Sequence, residues 1–101
     1  IKALGGGIAM QARMAYAGEY FLERYGEEAT RNAPPLRDVI EAGVPLGLGT
    51  DATRVASYNP WLALYWATTG KSLGGTQLHG KRHQLSREEA LFHYTVGSAW
   101  F

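Results

Sequence analysis

The residue best placed to do chemistry is the aspartate in VPLGLGTDATR, residues Val44 to Arg54. Val44, Leu46 and Leu48 alternate with smaller residues, and the run ends on Thr50 and Asp51 with no helix starting at once. The pattern predicts a buried strand with a carboxylate at its carboxyl end. In parallel α/β folds, and in barrels especially, catalytic groups sit at that end of the strands. A carboxylate there can bind a metal, accept a proton from a bound water, and hand that proton on. Aspartate also favours turns, so capping a turn is the plainer alternative.

Five further sets of residues qualify less strongly. Gln11 and Arg13 follow the first apolar segment, where substrate-facing residues are expected, and Arg54 lies in the loop that would rim the same site. Either arginine can clamp a substrate carboxylate through two parallel hydrogen bonds. A surface ion pair with a nearby glutamate is the alternative for each. His79 and His83, in HGKRH, have a spacing that binds zinc on a helix, but Gly80 and its surroundings argue against a helix. His93 falls in a helical stretch and is expected to face outward in a structural role. Gly5-Gly6-Gly7 can approach an anion closely, yet it lacks both the spacing and the lysine of a P-loop. Trp61, Tyr65 and Trp66 read as core rather than as a stacking platform.

The elements that must position these residues can be read from periodicity. Ile1 to Leu4, the glycine turn, and Ile8 to Gln11 suggest a strand opening into a glycine-rich bend. From Gln11 to Tyr25 the period is helical: Met10, Met14, Ala17, Phe21 and Tyr25 share one face. Gly18 suggests a kink and Gly26 a stop. Asn32 to Pro35 reads as a loop, Leu36 to Ala42 as a helix stopped by Gly43, and Pro45 to Gly49 as the second strand. Asn59-Pro60 is a strong helix start and Gly70 a natural end. The apolar residues between them cover more than one face, so that helix is expected to be buried on two sides. Gly70 to Gln84 has no period and reads as a mobile loop. Ser86 and Glu89 form a capping box. A helix is expected from Arg87 to about Thr95, with Leu91 and Tyr94 inward, broken at Gly97 and followed by a further turn from Ser98 to Phe101.

Strand, helix, helix, strand, helix, helix is the order expected of parallel strands joined by helical crossovers. Two strands make too small a sheet to stand alone. Ile1 already reads as strand, and the apolar Ala99-Trp100-Phe101 lacks a polar tail. The expectation is therefore one segment, residues 1–101, cut from a longer α/β protein.

The wording of four stretches sharpens this. QARMAYAGEYFLERYG, PPLRDVIEAGVPLGLGTDATR, YNPWLALYWATTG and LSREEALFHYTVGSAWF together resemble the carboxyl-terminal barrel segment of amidohydrolase-superfamily enzymes, of the amidohydrolase 3 type. The resemblance covers nearly the whole chain and is weakest from Lys71 to His83. It implies a fragment of a TIM-type (β/α)8 barrel, about the last two βα units, helix-rich with two short parallel strands. The strand near residues 1–10 would be the seventh and Pro45 to Gly49 the eighth. It also implies that Asp51 is catalytic and a metal ligand. In that family the matching aspartate binds zinc, takes a proton from the bridging water, and protonates the leaving nitrogen. The family's histidine ligands have no match here, so zinc is expected in the parent protein rather than in this chain alone. The parent would hydrolyse carbon–nitrogen bonds, other than peptide bonds, of a small-molecule substrate.

Bulk composition agrees with a globular piece of such an enzyme. The 101 residues are 46% hydrophobic and 19% charged, with net charge +1 and no cysteine. Nothing suggests disorder, nucleic-acid binding, an anionic membrane surface, a disulfide framework or thiolate chemistry. No apolar run approaches the ~20 residues of a membrane span, so a cytoplasmic location is the default. The expected partners are the missing amino-terminal portion of the barrel and further copies of the chain, held through exposed apolar surfaces. The alternative to an enzyme fragment is a small α/β module that binds an anion or oligomerises without catalysis.

Overall fold

The computed structural model describes residues 1–101. Strand β1 (Ile8–Gln11) is followed by helix α1 (Met14–Arg31) and helix α2 (Leu36–Glu41). Strand β2 (Leu46–Gly49) is followed by helix α3 (Pro60–Thr69) and helix α4 (Arg87–Tyr94). The two strands pair in parallel, with Ile8 opposite Leu46 and Gln11 opposite Gly49. The chain is thus α/β and helix-rich with two short parallel strands, as the alternation of patterns implied. No helix is long and apolar enough to cross a membrane.

One face of the sheet carries the core. Leu46 and Leu48 are buried, and Ile8 and Met10 pack beside them against Leu36, Trp66, Leu85 and Ala90. The opposite face is built of Gly7, Ala9, Gly47 and Gly49, and it lets Trp100 and Phe101 approach. A Cβ on Gly47 would sit 2.9 Å from the Phe101 ring, and one on Gly7 2.8 Å from the Trp100 ring. Gly47 therefore serves close packing, as the strand's low β-propensity suggested, whereas a Cβ on Gly49 would meet open space.

The edge of β2 away from β1 is occupied as well. In a parallel ladder the carbonyls of alternate residues point to opposite sides. Pro45 and Gly49 accept from β1 and the residue after it, at 2.8 and 3.3 Å. Leu46 and Leu48 therefore present their carbonyls outward. His93 Nδ1 donates to the first at 3.0 Å and Ser98 Oγ to the second at 2.7 Å. His93 is half-buried in this contact, which corrects its expected outward placement and agrees with a structural role. The carbonyl acceptor puts the ring proton on Nδ1.

Helix ends follow local chemistry. Asn59 Oδ1 accepts from the Trp61 amide at 3.0 Å, Pro60 opens α3, and Gly70 closes it at φ 69°. The Ser86–Glu89 capping box forms in both directions, at 3.0 Å each.

Several expectations are corrected. Ile1 to Leu4 is not strand: Lys2–Leu4 is a 3-10 turn closed by Gly5 at φ 71°. Gln11 ends a strand rather than starting a helix. Gly26 does break α1, at φ 85° and ψ 174°, but a second helical stretch continues to Arg31. Thr30 Oγ1 donates to the Gly26 carbonyl at 2.7 Å and steadies that stretch. The buried line of α1 is Ala15 and Gly18, displaced by one residue from the expected face, and Tyr25 is exposed. Gly18 marks a contact, not a kink: a Cβ there would collide with the Leu78 side chain. Helix α3 buries Ala63, Trp66 and Ala67 but leaves Trp61 71% exposed, so within this chain it is covered on one side. In α4 the buried residue is Ala90, while Leu91 is exposed.

The largest correction concerns Gly70 to Gln84, which is pinned rather than mobile. Ser72, Leu78, His79 and His83 are buried. The segment's amides donate to distant carbonyls, Leu73 to Ala15 at 3.0 Å and Gly80 to Arg31 at 2.9 Å, and Leu78 donates back within it to Gly70 at 2.7 Å. Ser72 and Thr76 hydroxyls each donate to the Glu19 carboxylate at 2.7 Å. These two bonds hold the Glu19 carboxyl below its usual range.

Candidate active site

Parallel pairing in register brings the carboxyl ends of both strands together. The Ala12 amide donates to the Gly49 carbonyl at 3.3 Å. Gln11 and Arg13 leave β1 at this end, and Thr50 to Arg54 leave β2 at the same end. All four expected site residues, Gln11, Arg13, Asp51 and Arg54, are exposed there. Arg13 immediately precedes α1 with helical backbone angles and makes no capping bond.

Asp51 has φ 56°, a left-handed conformation that aspartate tolerates better than most residues. It does not cap its turn: that bond goes from the Ala52 amide to Thr50 Oγ1, at 3.3 Å. The Asp51 carboxylate takes part in no hydrogen bond and no ion pair. The ion pairs of the chain are Arg37–Glu89, Arg82–Asp38 and Arg82–Glu41. Arg13 and Arg54 are therefore also without a carboxylate partner, so neither is the surface ion pair weighed for it.

The histidines are placed elsewhere. His79 is fully buried edge-to-face on Trp66, ring centroids 5.3 Å apart. Neither of its ring nitrogens has a hydrogen-bond partner at good geometry. Burial pushes its pKa down to about 4; the nearby Ala67 carbonyl opposes the drop and His83 adds to it. His83 Nδ1 accepts from the Arg37 amide at 3.2 Å, which fixes its tautomer. Its pKa is also lowered, chiefly by burial, with the Asp38 carboxylate opposing. The two rings serve packing, not a shared ligand.

No three histidine or acidic side chains converge anywhere in the chain. A single unpaired carboxylate fits one position of a metal's ligand set and no more, since such sites use three or more protein ligands. A hollow of about 230 Å³ lies beside the strand ends, lined by Gln11, Gly49 and Phe101 among others. A larger groove of about 330 Å³ lies between α3 and α4, with Trp61, Tyr65 and Leu91 on its walls. It is built from helix surface and holds none of the four site residues.

Two residues at the site's margin escape sequence reasoning. The hydroxyl of Tyr16 accepts from the Ser57 amide at 3.1 Å. A contact between residues so far apart in the chain leaves no periodic trace.

Parallel strands that deliver an uncommitted carboxylate to their carboxyl ends follow the layout on which α/β enzymes build their sites. The sequence profile of the Amidohydrolase family (Amidohydro_3) matches residues 1–101, and the chain belongs to that family. This membership agrees with the resemblance carried by the four quoted stretches. No curated protein and no solved structure matches the chain.

Proposed function

We propose that this chain supplies the last two βα units of a (β/α)8 catalytic barrel in a metal-dependent hydrolase. That enzyme cleaves carbon–nitrogen bonds, other than peptide bonds, in a small molecule. The observation that carries the reading is the free Asp51 carboxylate at the end of β2, in a chain whose whole length matches an amidohydrolase family. Asp51 is one donor to a divalent metal, zinc in this reading, whose other donors come from outside these residues. Zinc, when bound, lowers the pKa of a water toward 7. Asp51 accepts a proton from the attacking water and delivers it to the leaving nitrogen, acting as base and then acid. Gln11, Arg13 and Arg54 line the rim, where either guanidinium can hold a substrate carboxylate. In isolation the chain is incomplete and inactive, and the compartment is the cytoplasm.

The test is Asp51→Asn in the protein that carries this segment. Amide and cyclic-amide hydrolysis should fall by about a thousandfold or more, as expected when a metal ligand and proton carrier is lost. Metal analysis should show reduced zinc content. Full activity with unchanged metal content would sink the reading.

A further inference from the structure

Thr50 to Tyr58 joins β2 to α3 without regular structure, and its hydrogen bonds are almost all local. The Ala52 amide turns back to Thr50 Oγ1 at 3.3 Å, and the Asn59 amide to Ser57 Oγ at 3.1 Å. Ala52 and Ala56 bridge each other. One bond leaves the loop: the Ser57 amide donates to the phenol oxygen of Tyr16 at 3.1 Å. Tyr16 lies in the first turn of α1, just past β1, so it belongs to the neighbouring βα unit.

We propose that Tyr16 is a positioning residue whose phenol oxygen ties the loop carrying Asp51 to the end of β1. The role of the carboxylate so placed rests on the function proposed above; the tether does not. A loop held to its surroundings by one hydrogen bond opens by local fluctuation, and that bond sets how often. Catalytic groups tolerate misplacement of only about 0.5 Å, so a single tether on the loop that carries the carboxylate matters out of proportion to its strength. The Tyr16 ring is 39% exposed, so its removal from the bond leaves the core intact.

Water-exchange NMR on the full chain tests this, with Tyr16→Phe against Tyr20→Phe. The Tyr20 hydroxyl contacts only Arg24 of its own helix, at 3.5 Å, so it is the control. In Tyr16→Phe the Ser57 amide should exchange about tenfold faster, as loss of one net hydrogen bond predicts. The Asp51 carboxyl carbon resonance should shift or broaden, while the amides of β1 and β2 keep their protection. Tyr20→Phe should change none of these. Unchanged Ser57 exchange would overturn the proposal, and so would faster exchange spread equally over both strands. Asp51→Asn, which tests the metal reading, should leave the Ser57 amide as slow as in the unmodified chain, so the two ideas fail separately.

Discussion

Arg37 and Glu89 meet as a two-pronged pair, Nη1 to Oε2 at 2.7 Å and Nη2 to Oε1 at 3.1 Å. The pair joins α2, which precedes β2, to α4, which packs behind it. Glu89 Oε1 also accepts from the Ser86 amide, so one carboxylate caps a helix and bridges two. The Arg37 hydrogen bonds, together with that amide, hold the Glu89 carboxyl down to about 2. Glu89→Gln should lose the charged pair and cost about 1–2 kcal/mol, discounted because both side chains are partly exposed. Urea denaturation at pH 7 checks this; Glu88→Gln, one residue earlier, should change stability by less than about 0.5 kcal/mol.

Acid should destabilise the fold in two stages. His79 and His83 have folded pKa values below the ordinary 6.5, His79 at about 4. The unfolded chain therefore binds their protons first, so their contribution is complete above about pH 6.5 and falls as pH drops below it, that of His79 being lost as pH falls toward 4. The Glu89 contribution is complete above its ordinary 4.5 and is lost as pH falls toward 2. Thermal melts between pH 7 and 3 should show a falling midpoint from about pH 6. His79→Leu should flatten the upper stage and leave the lower one. A profile in this variant as steep as in the original would show that His79 is not the titrating group.

Gly18→Ala should destabilise by about 1–3 kcal/mol, although alanine is the better helix former by about 1 kcal/mol. The added methyl meets the buried Leu78 side chain, and α1 must move away from the Gly70–Gln84 segment. A second change, Leu78→Ala, should rescue the helix contact and make the pair less than additive. A stabilised Gly18→Ala variant in chemical denaturation would contradict the packing described.

The chain on its own should self-associate. Trp61, Tyr20 and Leu4 are 71%, 65% and 91% exposed, and a two-stranded sheet offers backbone for pairing. Light scattering behind size exclusion should show mass rising with concentration, and Trp61→Glu should lower it. A monodisperse monomer at high concentration would count against this.

What the sequence disclosed follows the range of the forces involved. The Asn59-Pro60 start, the Ser86–Glu89 box and the order of strands and helices are set by neighbours within four residues, so they were legible. The placement of Asp51 at a strand end was legible for the same reason. The Gly70–Gln84 segment was not: its order comes from Ala15, Glu19 and Arg31, each more than forty residues away. The buried line of α1 was misplaced because small residues at a close helix contact carry no hydrophobic signal. The tie from Tyr16 to Ser57 was invisible for want of any pattern linking them.

The occupied edge of β2 bears on how such a chain meets other strands. Fibre growth by edge pairing needs two open edges on every copy. Here His93 and Ser98 hold the outward carbonyls of Leu46 and Leu48, while Ala9 and Gln11 lie exposed on β1. Copies that pair through β1 should therefore favour a pair of chains over a growing fibre, because the outward carbonyls of β2 are already taken. A strand arriving at β2 would first have to displace both side chains. The carboxyl-terminal turn thus shields that edge from pairing.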